Sequence, residues 1–102
     1  MVNIDAVHKQ KRYLDKSGER DWIDKSAPVI ANMTGFDAAM FFTIGKYYQR
    51  LGKKDPVKKE LAKIEDYRRR WTDKLVEFGQ DEDYASVYVV RMIEEARELA
   101  AL

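Results

Sequence analysis

The sequence predicts an all-α fold, a compact bundle of four to five helices with short connections. Three observations carry that prediction. Apolar residues recur at steps of three and four along three long stretches. Gly18, Gly35, Gly52 and Gly79 fall between those stretches and read as helix boundaries. The chain has 102 residues, 45% of them apolar, which supplies one modest core and a single domain over residues 1–102.

Taken in order, residues 4–14 are the first short helical segment. Asp21 to Met33 reads as a second, with Trp22, Ile23, Val29 and Ile30 inward and Pro28 interrupting it or opening its second half. Residues 36–51 follow, with Phe36, Met40, Ile44, Tyr47 or Tyr48, and Leu51 on one stripe. Gly45 sits inside that pattern, where it costs about 1 kcal/mol relative to Ala. Close approach of another backbone is the expected reason, and access for a ligand the alternative.

The clearest element is 55–78. Asp55 is the expected N-cap and Pro56 the expected first helical residue, where its missing N–H costs nothing. Val57, Leu61, Ile64, Tyr67, Trp71, Leu75 and Phe78 form its apolar face, and Gly79 supplies a left-handed stop. Residues 84–102 complete the bundle. Tyr84, Val87, Tyr88, Met92, Ile93, Ala96, Leu99 and Leu102 are its apolar positions, and Asp81 or Asp83 its cap. The run Val87 to Val90 could stand alone as a strand, but the strong helix formers after it favour one helix.

Composition excludes several chemistries. There is no cysteine, hence no disulfide framework, thiolate metal site or Cys nucleophile. His8 is the only histidine, so any Ser-His-Asp triad would have to use it, and no metal site is expected. No apolar run exceeds five residues, far short of the ~20 that span a bilayer. The N-terminal residues lack the apolar core of a secretory signal, so the expected location is cytoplasmic, with no membrane partner.

Net charge is only +1, but it is unevenly laid out. Residues 1–42 balance. Residues 43–76 hold eleven basic and five acidic side chains, a net +6; residues 77–102 hold two and seven, a net −5. Lys46 and Arg50 are i,i+4 neighbours of like charge, and Lys53 and Lys54 follow just after Gly52. Four cations at one helix–helix corner, beside the positive end of the next helix, call for a phosphate. The corner is not a P-loop: six residues separate Gly45 from Gly52, Lys54 stands where Ser or Thr belongs, and the context is helical. Arg68, Arg69 and Arg70 spread around a helix and form no single clamp. Phe41, Phe42, Trp71 and Phe78 read as core. One of Tyr47 and Tyr48 must leave the stripe, and with Tyr67 it offers a ring for stacking.

Asp21-Trp22-Ile23-Asp24, Thr34-Gly35-Phe36, Gly45-Lys46-Tyr47-x-x-Arg50-x-Gly52-Lys53-Lys54-Asp55 and Glu60-Leu61-x-Lys63-Ile64-x-x-Tyr67 together resemble a small domain family of unknown function carried by phages and prophages. The resemblance spans about residues 5–76 and leaves the acidic 81–102 segment outside. Members tend to carry His-Tyr near the N-terminus; here His8 is followed by Lys9. One member is an atypical phage nucleotide kinase that acts on deoxynucleoside monophosphates without a Walker A loop. The resemblance implies phosphate or nucleotide binding by Lys46, Tyr47, Arg50, Lys53 and Lys54, with Lys63 and Tyr67 as neighbours and His8 as a further candidate. It implies the cytoplasm of an infected or lysogenic bacterium.

The expected function is therefore a nucleotide or phosphate ligand held at the basic corner, in a nucleotide-kinase-like manner. No cofactor is called for by the residues themselves; a bound nucleotide would bring Mg²⁺. The alternative is a non-enzymatic module that inhibits a host enzyme or defence system, such as an anti-CRISPR protein. The acidic tail and near-neutral total argue against a nucleic-acid partner. The aliphatic C-terminal helix is compatible with a homo-oligomer.

Overall fold

A computed structural model describes residues 20–102. Among them are four helices and no strand: α1 (Trp22–Ile30), α2 (Gly35–Gln49), α3 (Val57–Glu77) and α4 (Glu82–Ala100). The all-α bundle is as the sequence predicts. The helix expected over 4–14, and His8 with it, lie outside the described residues.

Asp21 opens α1 through a reciprocal capping box. Its carboxylate accepts from the Asp24 amide at 2.9 Å, and the Asp24 carboxylate accepts from the Asp21 amide at 3.0 Å. Pro28 lies inside α1, which ends two residues later, short of the expected Met33. Ile23, inward by the sequence pattern, is 58% exposed. Trp22 and Ser26, four residues apart, define the buried face instead, and Ile23 is turned about 100° away from it. Lys25 is buried too. Its ammonium donates to Gln49 Oε1 at 2.8 Å and to the carbonyls of Ala100 and Leu102, each at 3.1 Å, joining α1 to the ends of α2 and α4.

The helix α2 is the hub, packed against α1, α3 and α4 and most extensively against α4. The core is Trp22, Phe41, Ile44, Ile64, Trp71, Val89, Ile93 and Ala96. Gly45 owes its place to packing, against a side chain rather than the expected backbone: a Cβ there would lie 1.9 Å from Trp22 Cζ2. Both indoles are tied to α2. Trp22 Nε1 donates to the Phe42 carbonyl at 2.8 Å, and Trp71 Nε1 to Asp37 Oδ1 at 2.8 Å. Asp37 also accepts from the Tyr88 hydroxyl and from Thr34 Oγ1, each at 3.1 Å, so one carboxylate links α2, α3 and α4.

Two boundaries follow the sequence closely. Asp81 caps α4 by accepting from the Tyr84 amide at 3.0 Å, and that helix runs unbroken through Val87 to Val90. Gly79, at φ 104°, ends α3. The Gln80 amide returns to the Leu75 carbonyl and the Gly79 amide to Val76, a Schellman closure. The start of α3 differs. The N-cap is Pro56, with no side-chain hydrogen bond, and Asp55 lies outside the helix. The apolar stripes are also narrower than expected. Val57 and Leu61 on α3, Phe78 just after it, Tyr84 and Val87 in the first turns of α4, and Leu102 beyond its end are exposed. Small Ala85 and Ala96 let α4 seat closely on its neighbours, which leaves the larger residues on its far side. Phe78 instead meets Phe36 edge to face at 5.5 Å.

Candidate functional site: the α2–α3 cleft

The corner joining α2 to α3 is built by Gly52, at φ 77°, and by the Lys53 amide bonding back to the Arg50 carbonyl at 2.9 Å. The turn sends α3 back along α2, so the last turns of α2 face the first half of α3. A cleft of about 460 Å³ lies along that face, lined by Tyr47, Lys59, Ala62, Lys63, Asp66, Tyr67 and Arg70. The cations there outnumber the carboxylate three to one.

Tyr47 and Tyr67 form its aromatic surface. Their rings are 5.8 Å apart with 31° between planes. Lys63 Nζ stands 5.4 Å from the Tyr47 centroid, and the Arg70 guanidinium 5.8 Å from that of Tyr67. Burial first, and the neighbouring Tyr67 second, push the Tyr47 phenol up from its ordinary pKa, so it is a neutral hydrogen-bonding group at physiological pH.

Of the seven described residues that the sequence singles out, the cleft gathers Tyr47, Lys63 and Tyr67. Lys53 and Lys54 are exposed on the turn, and Lys46 is half-buried on α2; none of the three lines the cleft. Arg50 lies beneath it. Its side chain is buried, with Cζ 4.6 Å from the Tyr47 centroid and Nε 3.5 Å from Glu60 Oε1. Glu60 is fully buried, and neither of its carboxylate oxygens has a hydrogen-bond partner. The like-charge repulsion expected between Lys46 and Arg50 is thus offset from the next helix. Tyr47 and Tyr48 both turn partly inward, Tyr47 towards α3 and Tyr48 towards Glu94 and Arg97 of α4.

Lys59, Asp66 and Arg70 are cleft residues that the sequence reading passes over. A signal existed: 59, 63, 66 and 70 follow steps of four, three and four, one helical face bordering Tyr67. Arg68, Arg69 and Arg70 do diverge, Arg68 pairing with Glu65 and the other two sharing Asp66. Asp55, freed from capping, lies 3.8 Å from Lys59 Nζ and 3.5 Å from Lys63 Nζ. Desolvation opposes its ionisation, but the two lysines outweigh it and hold the carboxyl below its usual pKa. Among the described residues, no three His, Asp or Glu side chains gather to hold a metal ion. No helix among them is long and apolar enough to cross a membrane.

A small helical bundle with a basic, tyrosine-lined cleft between its second and third helices is the class of molecule these features define. The chain belongs to the family of proteins of unknown function DUF3310, whose model matches residues 7–69. The match takes in α1, α2, the corner and the first half of α3, hence nearly the whole cleft; α4 falls outside it. No curated protein and no solved structure matches the chain.

Proposed function

We propose that the chain binds a nucleotide or another phosphate-bearing ligand in the α2–α3 cleft, with the ring stacked on Tyr47 or Tyr67 and the phosphate met by Lys59, Lys63 and Arg70. The observation that carries this reading is the pair of half-buried tyrosine rings with a cation over each. A flat ring joined to an anion matches that combination; an inorganic anion uses only half of it. Lys46, Arg50, Lys53 and Lys54 then act at longer range, Arg50 by supporting Tyr47 from below. The resemblance to a phage and prophage family that includes a nucleotide kinase adds to the reading and supplies its kinase-like form. There a nucleoside triphosphate loses its γ-phosphoryl group through cleavage of the Pγ–O bond, a monophosphate oxygen gains it, and two diphosphates result. Charge and positioning are most of what such a step needs from a protein.

Thermal-shift and calorimetric titration with nucleoside mono-, di- and triphosphates and inorganic phosphate, with and without Mg²⁺, test it. Any ligand of the folded state raises the melting temperature by mass action. A nucleotide should shift it more than phosphate, and Lys63→Ala should weaken binding about tenfold, or ~1.4 kcal/mol. A flat screen ends this reading.

A second reading, a non-enzymatic module that inhibits a host protein, draws on Val87 and Val90, which are exposed on α4 among its carboxylates. It predicts a partner complex that Val87→Glu disrupts and Lys63→Ala leaves intact.

A further inference from the structure

The cleft does not stop at Tyr67. A second hollow of about 280 Å³ adjoins it, lined by Phe36, Met40, Tyr67, Arg70, Asp73 and Lys74. Tyr67 and Arg70 belong to both hollows, so the two form one groove. One wall is a single face of α2, with Phe36, Met40 and Tyr47 at steps of four and seven. The other wall is α3 from Lys59 to Lys74, a run of ~22 Å at the helical rise. That is longer than one nucleoside monophosphate.

The chemistry repeats along this length. The Tyr47–Tyr67 pair lies at one end and the Phe36–Phe78 edge contact, at 5.5 Å, at the other, with Phe78 63% exposed. Lys59 and Lys63 flank the first pair, Arg70 stands over Tyr67 where the hollows meet, and Lys74 lines the second hollow with Phe36. Four cations face two carboxylates over the two hollows. Asp66 is shared by Arg69 and Arg70, and Lys74 reaches Glu77 at 3.0 Å. Asp73 has no ion-pair partner among the described residues. The net −5 of residues 77–102 belongs to the end of α3, the loop after it and α4. Rings alternating with cations along a groove are how proteins hold a flexible strand without reading its sequence.

We infer that the α2–α3 groove holds single-stranded nucleic acid, two or more linked nucleotides, with bases on the tyrosine pair and on Phe36 and phosphates on Lys59, Lys63 and Arg70. This deepens the phosphate-ligand reading and rests on it. The near-neutral total charge of the chain is no obstacle, because the strand meets the local charge of the groove.

Fluorescence anisotropy at low salt, with a labelled short oligothymidylate and labelled thymidine monophosphate side by side, tests it. The oligonucleotide should bind about tenfold tighter, and its affinity should fall as salt rises. Lys74→Ala and Phe36→Ala should each weaken the oligonucleotide several-fold, and more than they weaken the monophosphate. Exposed Lys74 keeps the test valid if the Phe36 variant unfolds. Equal affinities for the two probes overturn this inference and leave the nucleotide reading standing. Loss of both overturns both. Competition by polyglutamate as strong as by unlabelled oligonucleotide also overturns it and makes the groove a site for acidic protein.

Discussion

Arg50 Nε lies 3.5 Å from Glu60 Oε1, with both side chains closed off from solvent. Removing one partner from such a pair leaves a buried charge, which typically costs about 3 kcal/mol, whereas removing both costs less than the sum. Glu60→Ala should therefore destabilise strongly in urea, and Arg50→Met combined with Glu60→Leu should recover at least ~1 kcal/mol of the summed loss. Strict additivity would show that the pair is not coupled.

Gly45→Ala tests the indole contact. On an exposed helix the change would stabilise by about 1 kcal/mol. Here the new methyl would meet Trp22 Cζ2 at 1.9 Å, so overpacking of about 1–3 kcal/mol should win. The expected outcome is a lower melting temperature with a shifted tryptophan emission. An unchanged or raised midpoint would mean that α1 moves aside freely.

Asp55→Asn separates capping from charge control. Pro56 holds the cap position without a side-chain bond, so the loss of stability should be small, limited to the remaining dipole contribution. Lys59 and Lys63 lose their shared carboxylate, and phosphate-ligand affinity should rise several-fold. Isothermal titration measures it; a weaker ligand would show that Asp55 orients the lysines rather than neutralising them.

Alkaline unfolding should report Tyr88. Burial, then the charge of Asp37, pushes its phenol from 10.0 up to about 12. The unfolded chain therefore ionises first. This contribution is intact below pH 10 and is lost as pH rises from there towards about 12. Allowing for solvent screening of a partly exposed group, the loss is on the order of 1 kcal/mol. Tyr88→Phe should flatten that part of the stability–pH curve without abolishing it, because Tyr47 and Tyr48 are raised as well. An identical slope in the variant would count against the Asp37 contact.

The helices were legible because periodicity and punctuation agree: Asp81 and Gly79 stand where caps and stops belong. Asp55 misled because Asp-Pro satisfies two helix-start rules at once, and the choice between them depends on where Lys59 and Lys63 reach. Glu60 was hidden by its type. It occupies the buried phase of α3, four residues before Ile64, but a carboxylate there reads as surface until Arg50 is brought beneath it from another helix. The corner lysines show the reverse. Their density in sequence is real, yet helical phase sends Lys59, Lys63 and Arg70 into the cleft and leaves Lys53 and Lys54 on the turn. Local pattern identifies faces; which face meets which is a property of the packed bundle.

The chain contains two tryptophans, and both indole N–H groups are anchored to α2, one through the Phe42 carbonyl and one through Asp37. Each ring is buried in the same core. Intrinsic fluorescence is thus a built-in gauge of whether the hub stays seated. Withdrawal of α2 exposes both emitters together and reddens the whole spectrum, whereas fraying of α4 alone relaxes only the Tyr88 side of the Trp71 environment. The two events can be told apart optically, with no label added to the protein.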